Sequence, residues 1–290
     1  MGFTVSDPVD PIEFLARERE GWDIAAAGWR RWWGTFEAGA QPLNDRLVEL
    51  AAVRSGHRCL DVATGIGEPA LTAARATGPS GRVIAVDMST RMLEFGRLRA
   101  AEAGLDHVDF VAADAEQLDV EAGSIDAATC RWGLMLMLRP ALVAQNVRAA
   151  LRPGGRFAVS VWGTADEVPF IGLGPRVIRG LLGGAAPALE EPGPFRLADP
   201  EELRGVLRQG GFSGVEVEER RVVMSFASPA DYVTFVGDLS GTFRDAMAPL
   251  DESMRVRVLG ALEEAAAAFS GSDGGVRFDN RVLCAVGTAG

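Results

Sequence analysis

Lysine is absent from this chain, and all 29 of its cationic side chains are arginine. Histidine occurs twice (His57, His107), cysteine three times (Cys59, Cys130, Cys284) and tyrosine once (Tyr232). Each scarcity excludes something. Three scattered cysteines are too few for a disulfide framework or a thiolate zinc site. Each lies in an apolar, strand-like run, so they read as buried free thiols in a reducing compartment. Both histidines immediately precede predicted strands, at the sheet edge remote from where ligands bind, so neither a histidine base nor a metal cluster is expected. The arginines face 40 acidic residues, for a net charge of −11, and no dense arginine run offsets this. A nucleic-acid partner is not expected, because neutralising phosphates needs a basic face. No apolar run approaches the roughly 18 residues of a membrane span, and the start does not resemble a signal peptide. The expectation is a soluble, cytoplasmic protein with no membrane partner. Abundant Ala, Gly and Arg suggest a high-GC bacterial coding source. At 290 residues the chain is long enough for one large domain or one domain with an appended cap.

What is present divides by period. Residues 11 to 54 read as helices rich in aromatics, with Pro42 interrupting them before NDRLVELAAV, where Asn44 offers a cap. From residue 58 onward strands and helices alternate: RCLDVAT, EPALTAARAT, RVIAVDM, TRMLEFGRLRAAEAGL, VDFVAAD, SIDAATCRWGLM, RPALVAQNVRAAL and GRFAVSVW. Such units imply an α/β fold, a doubly wound, mostly parallel sheet with helices on both faces. After Trp162 the alternation weakens, and VRFDNRVLCAVGTA returns as a final strand, expected to be antiparallel. The expected organisation is an N-terminal helical lid at 1–45 and a cofactor-binding core at 46–163. A cap insertion follows at 164–198, core again at 199–227, a helical cap insertion at 228–272 and the final core strand at 273–290.

In an open parallel sheet, ligands lie outside the carboxyl ends of the strands, at the point where strand order reverses. GIGEPA, residues 65 to 70, sits there, and its glycines let backbone approach a ligand while the next helix N-terminus presents free N–H groups. The pattern suits a nicotinamide oxidoreductase and an S-adenosylmethionine enzyme alike. Asp87, ending RVIAVD, suits both as a clamp on ribose hydroxyls. Three features favour the second class. Asp61, just before the loop, would repel a pyrophosphate but attract a cationic ligand. Asp114, in AADAEQL, stands at the third strand's end, and LRPGG makes a Pro-Gly-Gly turn into a buried strand.

LDVATGIG, VIAVDMS, AADAEQL and LRPGG in this order resemble the class I S-adenosylmethionine-dependent methyltransferases, in particular the ubiquinone/menaquinone-type (type 11) small-molecule branch. The resemblance covers residues 45 to 163 well and the flanks loosely. It implies a Rossmann-like core and S-adenosyl-L-methionine as cofactor. By this resemblance Asp61, Ala63, Gly65 and Gly67 surround the methionine moiety. Asp87 holds the ribose with Met88 against the adenine, Asp114 and Ala115 border the adenine, and Cys130 and Arg131 stand beside the sulfonium. Ala63 replaces the family's usual first glycine and narrows the loop.

Methyl transfer from a sulfonium needs alignment more than it needs a base. Glu68, Tyr232 and Asp238 are the candidates for acid/base work; Glu68 also reads as a helix cap or cofactor contact, and Tyr232 as a packing residue. Trp22, Trp29, Trp32 and Trp33 offer apolar faces over a flat ligand, or simply an aromatic stripe packing a helix. Trp132 reads as pocket wall or core, and Met135, Met137, Phe170 and Phe235 extend the same apolar surface. The expected function is methyl transfer to a small apolar or aromatic acceptor in bacterial secondary metabolism, with C-, N- and O-methylation unresolved and a homodimer possible. The alternatives are a nicotinamide-dependent oxidoreductase, for which the missing lysine removes a Tyr/Lys pair, and a non-methylating rearrangement on the same fold.

Overall fold

A computed structural model describes residues 10–183 and 191–290. Parts of the expected lid (1–9) and of the first cap insertion (184–190) lie outside the described residues.

Seven strands form one sheet in the order β3-β2-β1-β4-β5-β7-β6. β1 (Arg58–Val62) lies parallel to β2 (Arg82–Asp87) on one side and to β4 (Ile125–Arg131) on the other. β2 pairs with β3 (Val108–Ala112), and β4 with β5 (Leu151–Trp162), both parallel. β7 (Val276–Ala289) runs antiparallel between β5 and β6 (Phe212–Phe226). The mostly parallel sheet with an antiparallel last strand is therefore as expected. Strand order reverses between β1 and β4, which puts the ligand crevice above Asp61, Val62, Cys130 and Arg131. The central strands are buried on both faces and read as near-continuous apolar runs for that reason. In LRPGG, Ile125 faces Leu151 while Ala127 faces Arg156, so the Pro-Gly-Gly turn bulges out of the β4–β5 ladder.

Helices α2 (Ala70–Thr77), α3 (Thr90–Glu102), α4 (Pro140–Ala150) and α6 (Pro200–Gln209) make the strand connections. α5 (Pro169–Leu182), α7 (Pro229–Leu239), α8 (Gly241–Met247) and α9 (Glu252–Ala267) fall in the two late segments. The clearest departure from expectation is at the N-terminus. Residues Pro11–Leu50 form one 40-residue helix, α1, that runs straight through Pro42. Proline there removes one backbone hydrogen bond, to the carbonyl of Ala38. Ala38 and Pro42 are both exposed, so water takes the orphaned carbonyl while the buried face continues unbroken through Phe36, Ala40, Leu43 and Leu47. Asn44 caps nothing; it is buried in the helix interior.

The three thiols are buried, as expected. His107 Nε2 meets the Ala74 carbonyl at 2.9 Å, on the sheet edge opposite the crevice.

Candidate active site

The loop after β1 is built on left-handed backbone. Ala63 and Gly65 both have φ of 55° and Gly67 has 105°. For Ala63 this conformation costs about 1 kcal/mol relative to glycine. Its methyl has room because residue 133 is glycine: a Cβ there would lie 2.5 Å from the Ala63 Cβ. A Cβ on Gly65, by contrast, would meet nothing within 4 Å, so the space above it is open.

Carboxylates hold this loop from below and behind. Asp61, fully buried, accepts the Thr129 hydroxyl on one oxygen (2.7 Å) and the Ala70 N–H on the other (3.0 Å). Burial pushes its carboxyl up to about 7, against the pull of the Thr129 hydrogen bond. Glu68, also buried, accepts the Thr72 N–H (3.1 Å) and hydroxyl (2.7 Å), while Arg99 approaches its other oxygen at 3.3 Å. The first turn of α2 is thus capped by two acidic side chains, and the sequence expectation of free N–H groups at that helix start is corrected. Asp87 accepts the Gly65 N–H (2.8 Å) and the Ser89 N–H (2.9 Å), tying the loops after β1 and β2 together; burial raises its carboxyl. Met88 beside it is half-buried. Asp114 accepts the Glu116 N–H at 2.9 Å and caps the short turn Ala115–Gln117, in which Ala115 is buried.

α1 crosses above these loops. Asp23 accepts the Ser89 hydroxyl at 2.5 Å, and Trp22, Ala26 and Trp29 pack with Met92, Phe95 and the loop residue Ile66. Further along, Glu37 takes both Arg131 guanidinium nitrogens at 2.7 and 2.8 Å, with Asn44 bridging the pair. Burial disfavours the Glu37 carboxylate, yet Arg131 outweighs it and holds the carboxyl below its ordinary range. Trp33 lies 40% exposed over the Arg99 guanidinium. Trp32 donates its indole N–H to Asp238 at 2.7 Å, and Arg31 reaches the same oxygen at 3.2 Å.

Asp61, Asp87, Cys130 and Arg131 therefore cluster at the carboxyl ends of β1, β2 and β4, with Glu68 at the start of α2 and the α1 ring of Trp29 packed near the loop. Tyr232 does not join them. It is fully buried among Phe226 and Phe278, its hydroxyl donates to the Phe170 carbonyl at 2.9 Å, and burial raises the phenol, so proton transfer by Tyr232 is corrected to packing. Asp238 likewise anchors α1 to α7. Trp132 stacks face to face on Trp162 at 4.0 Å, with Phe36 edge-on at 5.4 Å, and Met135, Phe170 and Phe235 are buried in the same continuous core. The rings expected to line a cavity pack against one another. A groove of about 890 Å³ lies instead along the outer edge of β2 and β3, between Ile84, Phe110 and Leu118. Sequence reasoning missed Glu37, Asn44, Arg99, Thr129 and Gly133; only the i, i+4, i+7 spacing of Glu37, Gln41 and Asn44 signalled a polar stripe on α1. No cluster of metal-ligating side chains occurs among the described residues.

Residues 53–177 match the family described as a methyltransferase domain. The ubiquinone/menaquinone biosynthesis C-methyltransferase UbiE of Pseudomonas putida is 33% identical over 138 residues, 47% of this chain and 50% of that protein. The UbiE of Ectopseudomonas oleovorans is 33% identical over 135 residues, 46% of this chain and 74% of its own length. The chain thus spans about half the length of the Pseudomonas relative it matches. Among solved structures, Haemonchus contortus phosphoethanolamine N-methyltransferase 2 with S-adenosyl-L-methionine aligns with a TM-score of 0.59 at 18% identity, over 98% of this chain and 61% of that one. The [4+2]-cyclase SpnF aligns with a TM-score of 0.59 at 19% identity, over 97% of both chains. These structural likenesses establish the fold, and the sequence relatives establish the lineage: the chain belongs to the class I S-adenosylmethionine-dependent methyltransferases.

Proposed function

We propose that this protein transfers a methyl group from S-adenosylmethionine to a small apolar or aromatic acceptor in bacterial secondary metabolism, as a soluble cytoplasmic enzyme. One observation carries the choice of cofactor class. The start of α2, where a pyrophosphate would need free N–H groups, is occupied by the Asp61 and Glu68 carboxylates. An acidic floor disfavours a dinucleotide anion and favours a ligand that carries positive charge. The open space above Gly65 and the Asp87 carboxylate at the end of β2 fit the same group. Asp61, Ala63, Gly65 and Gly67 would hold its methionine part, Asp87 and Met88 its ribose and adenine edge, and Asp114 and Ala115 the far side of the adenine.

S-adenosylmethionine, when bound, supplies an activated electrophilic methyl group. The protein's own contribution is then orientation and exclusion of water. Asp87 fixes the Gly65 amide, Asp61 fixes the base of α2 and the Thr129 side chain, and α1 closes the crevice with apolar rings. Cys130 is buried and its thiol is pushed up to about 12, so it is a wall and not a nucleophile. Neither Tyr232 nor a histidine stands at the crevice, which supports an acceptor that is already nucleophilic; Glu68 is engaged by Thr72 and Arg99 and serves as a cap on α2. Calorimetric titration with S-adenosylhomocysteine, NADH and NADPH tests the reading: micromolar binding of the first alone is expected, and binding of a nicotinamide nucleotide instead overturns it. Asp87→Ala should weaken the homocysteine compound's binding by about a hundredfold, since two loop amides and the ribose lose their acceptor.

A further inference from the structure

Charged side chains collect where the Glu37–Asn44 stretch of α1 meets the tip of β4 and the start of α2. Glu37, Asp61 and Glu68 are buried carboxylates, and Arg131 and Arg99 are guanidiniums almost as deep. Buried charges persist when they are paired, and the pairing here is uneven. Arg99 serves Glu68 and the Ile66 carbonyl. Arg131 gives both terminal nitrogens to Glu37 and shares one of them with Asn44. Asp61 receives only a hydroxyl and an amide. Half-exposed Arg75 comes within 3.7 Å of Glu68 from the solvent side, where water screens it.

Arg131 stands where it could serve Asp61 instead. Asp61 lies opposite Thr129 across β1 and β4, and Arg131 is two residues beyond Thr129, hence on the same face. Its charge is felt at Asp61 and favours ionisation there, yet its terminal nitrogens go to α1. The other groups around Asp61 offer no cation. Burial holds the Cys59 and Cys130 thiols neutral, and Asp87, one strand over, is an acid bound to the Gly65 and Ser89 amides. We infer that Glu37 withholds Arg131 from Asp61, leaving Asp61 as the carboxylate of this cluster without a cation and free to meet a cationic ligand. Glu37 is thereby a positioning residue for sulfonium selectivity, acting from α1 through Arg131, and the inference rests on the cofactor reading above.

The test compares S-adenosylmethionine, a sulfonium cation, with S-adenosylhomocysteine, the neutral thioether, by calorimetric titration between pH 6 and 9. The ligands' own titrations are common to every variant and cancel in the comparison. Glu37→Gln keeps the side chain's shape but frees Arg131 to neutralise Asp61. The affinity ratio of the sulfonium to the thioether should fall severalfold at pH 8 and lose the pH-dependent rise of the wild-type protein. Affinity for the thioether should change little. A wild-type ratio and slope, or equal losses for both ligands, would mean that Glu37 only holds the helix, and overturns the inference. In Glu37→Leu/Arg131→Met both charges are gone and Asp61 is again unopposed. The rise should return there, displaced to higher pH because Arg131 no longer aids the ionisation. This double variant also decides the matter if the single one folds poorly: a ratio without the rise in it overturns the inference. A wild-type protein that binds neither ligand refutes the cofactor reading itself, a different outcome from selective binding that ignores Glu37.

Discussion

Asp61 is buried and yet titrates within reach of neutral pH, because losing its hydration outweighs the two hydrogen bonds it accepts. Its folded value of about 7 lies above the ordinary carboxylate value, so the folded state keeps a proton that the unfolded chain has already released. This group's contribution to stability is full at low pH and is lost as the pH rises through about 7. Ligand selection should run the other way. Once ionised, the carboxylate attracts a sulfonium and does nothing for a neutral thioether. The affinity for S-adenosylmethionine relative to S-adenosylhomocysteine should therefore rise severalfold between pH 6 and 8, and Asp61→Asn should flatten the rise. A pH-independent ratio in the wild-type protein would sink this account. Asp61, Gly65, Gly67 and Asp87 were legible in the sequence because they act within one or two adjacent loops. Glu37 and Arg99 were not, since the partners that give them meaning come from elements far away in the chain.

At the scale of elements, α1 decides most. Its buried ion pair with Arg131 forms a contact between the helix and the tip of β4, with both side chains 7% exposed. Removing one partner strands a buried charge, so Glu37→Ala should cost about 3–5 kcal/mol in denaturant unfolding. Glu37→Leu combined with Arg131→Met should recover most of it; additive losses would mean that the pair is not the source. Two glycines of the same helix make an internal control. A Cβ on Gly39 would run into the Val223 carbonyl, whereas one on Gly34 meets nothing within 4 Å. Gly39→Ala should destabilise by about 1–3 kcal/mol, and Gly34→Ala should stabilise by about 0.5–1 kcal/mol, both read from unfolding midpoints. The strand–helix alternation was readable because period 2 and period 3.6 differ along the chain. The unity of α1 was not, because proline propensity argues for a break, and only tertiary burial of the Phe36–Leu47 face overrides it.

On the scale of the whole molecule, the sheet is shared by proteins of different chemistry, a methyltransferase and a [4+2]-cyclase among them, so the fold by itself leaves the reaction open. What is particular to this chain is how completely its reactive groups are enclosed. Cys59, Cys130 and Cys284 are each 2% exposed or less, and burial pushes every one of these thiols up to about 12. An exposed-thiol reagent should label none of the three in the native protein within minutes and all three after unfolding; fast native labelling would show that the core opens. Enclosure has a kinetic side as well. One half of α1 lies across the glycine loop through Trp29 and Asp23, and the other is rooted in the sheet through Leu43 and Leu47. A ligand bound beneath such a beam, as proposed above, would leave only as the Asp23–Ser89 hydrogen bond and the packing of Trp22 and Trp29 on the Ile66 cluster give way, so the same contacts would time the loss of the spent thioether.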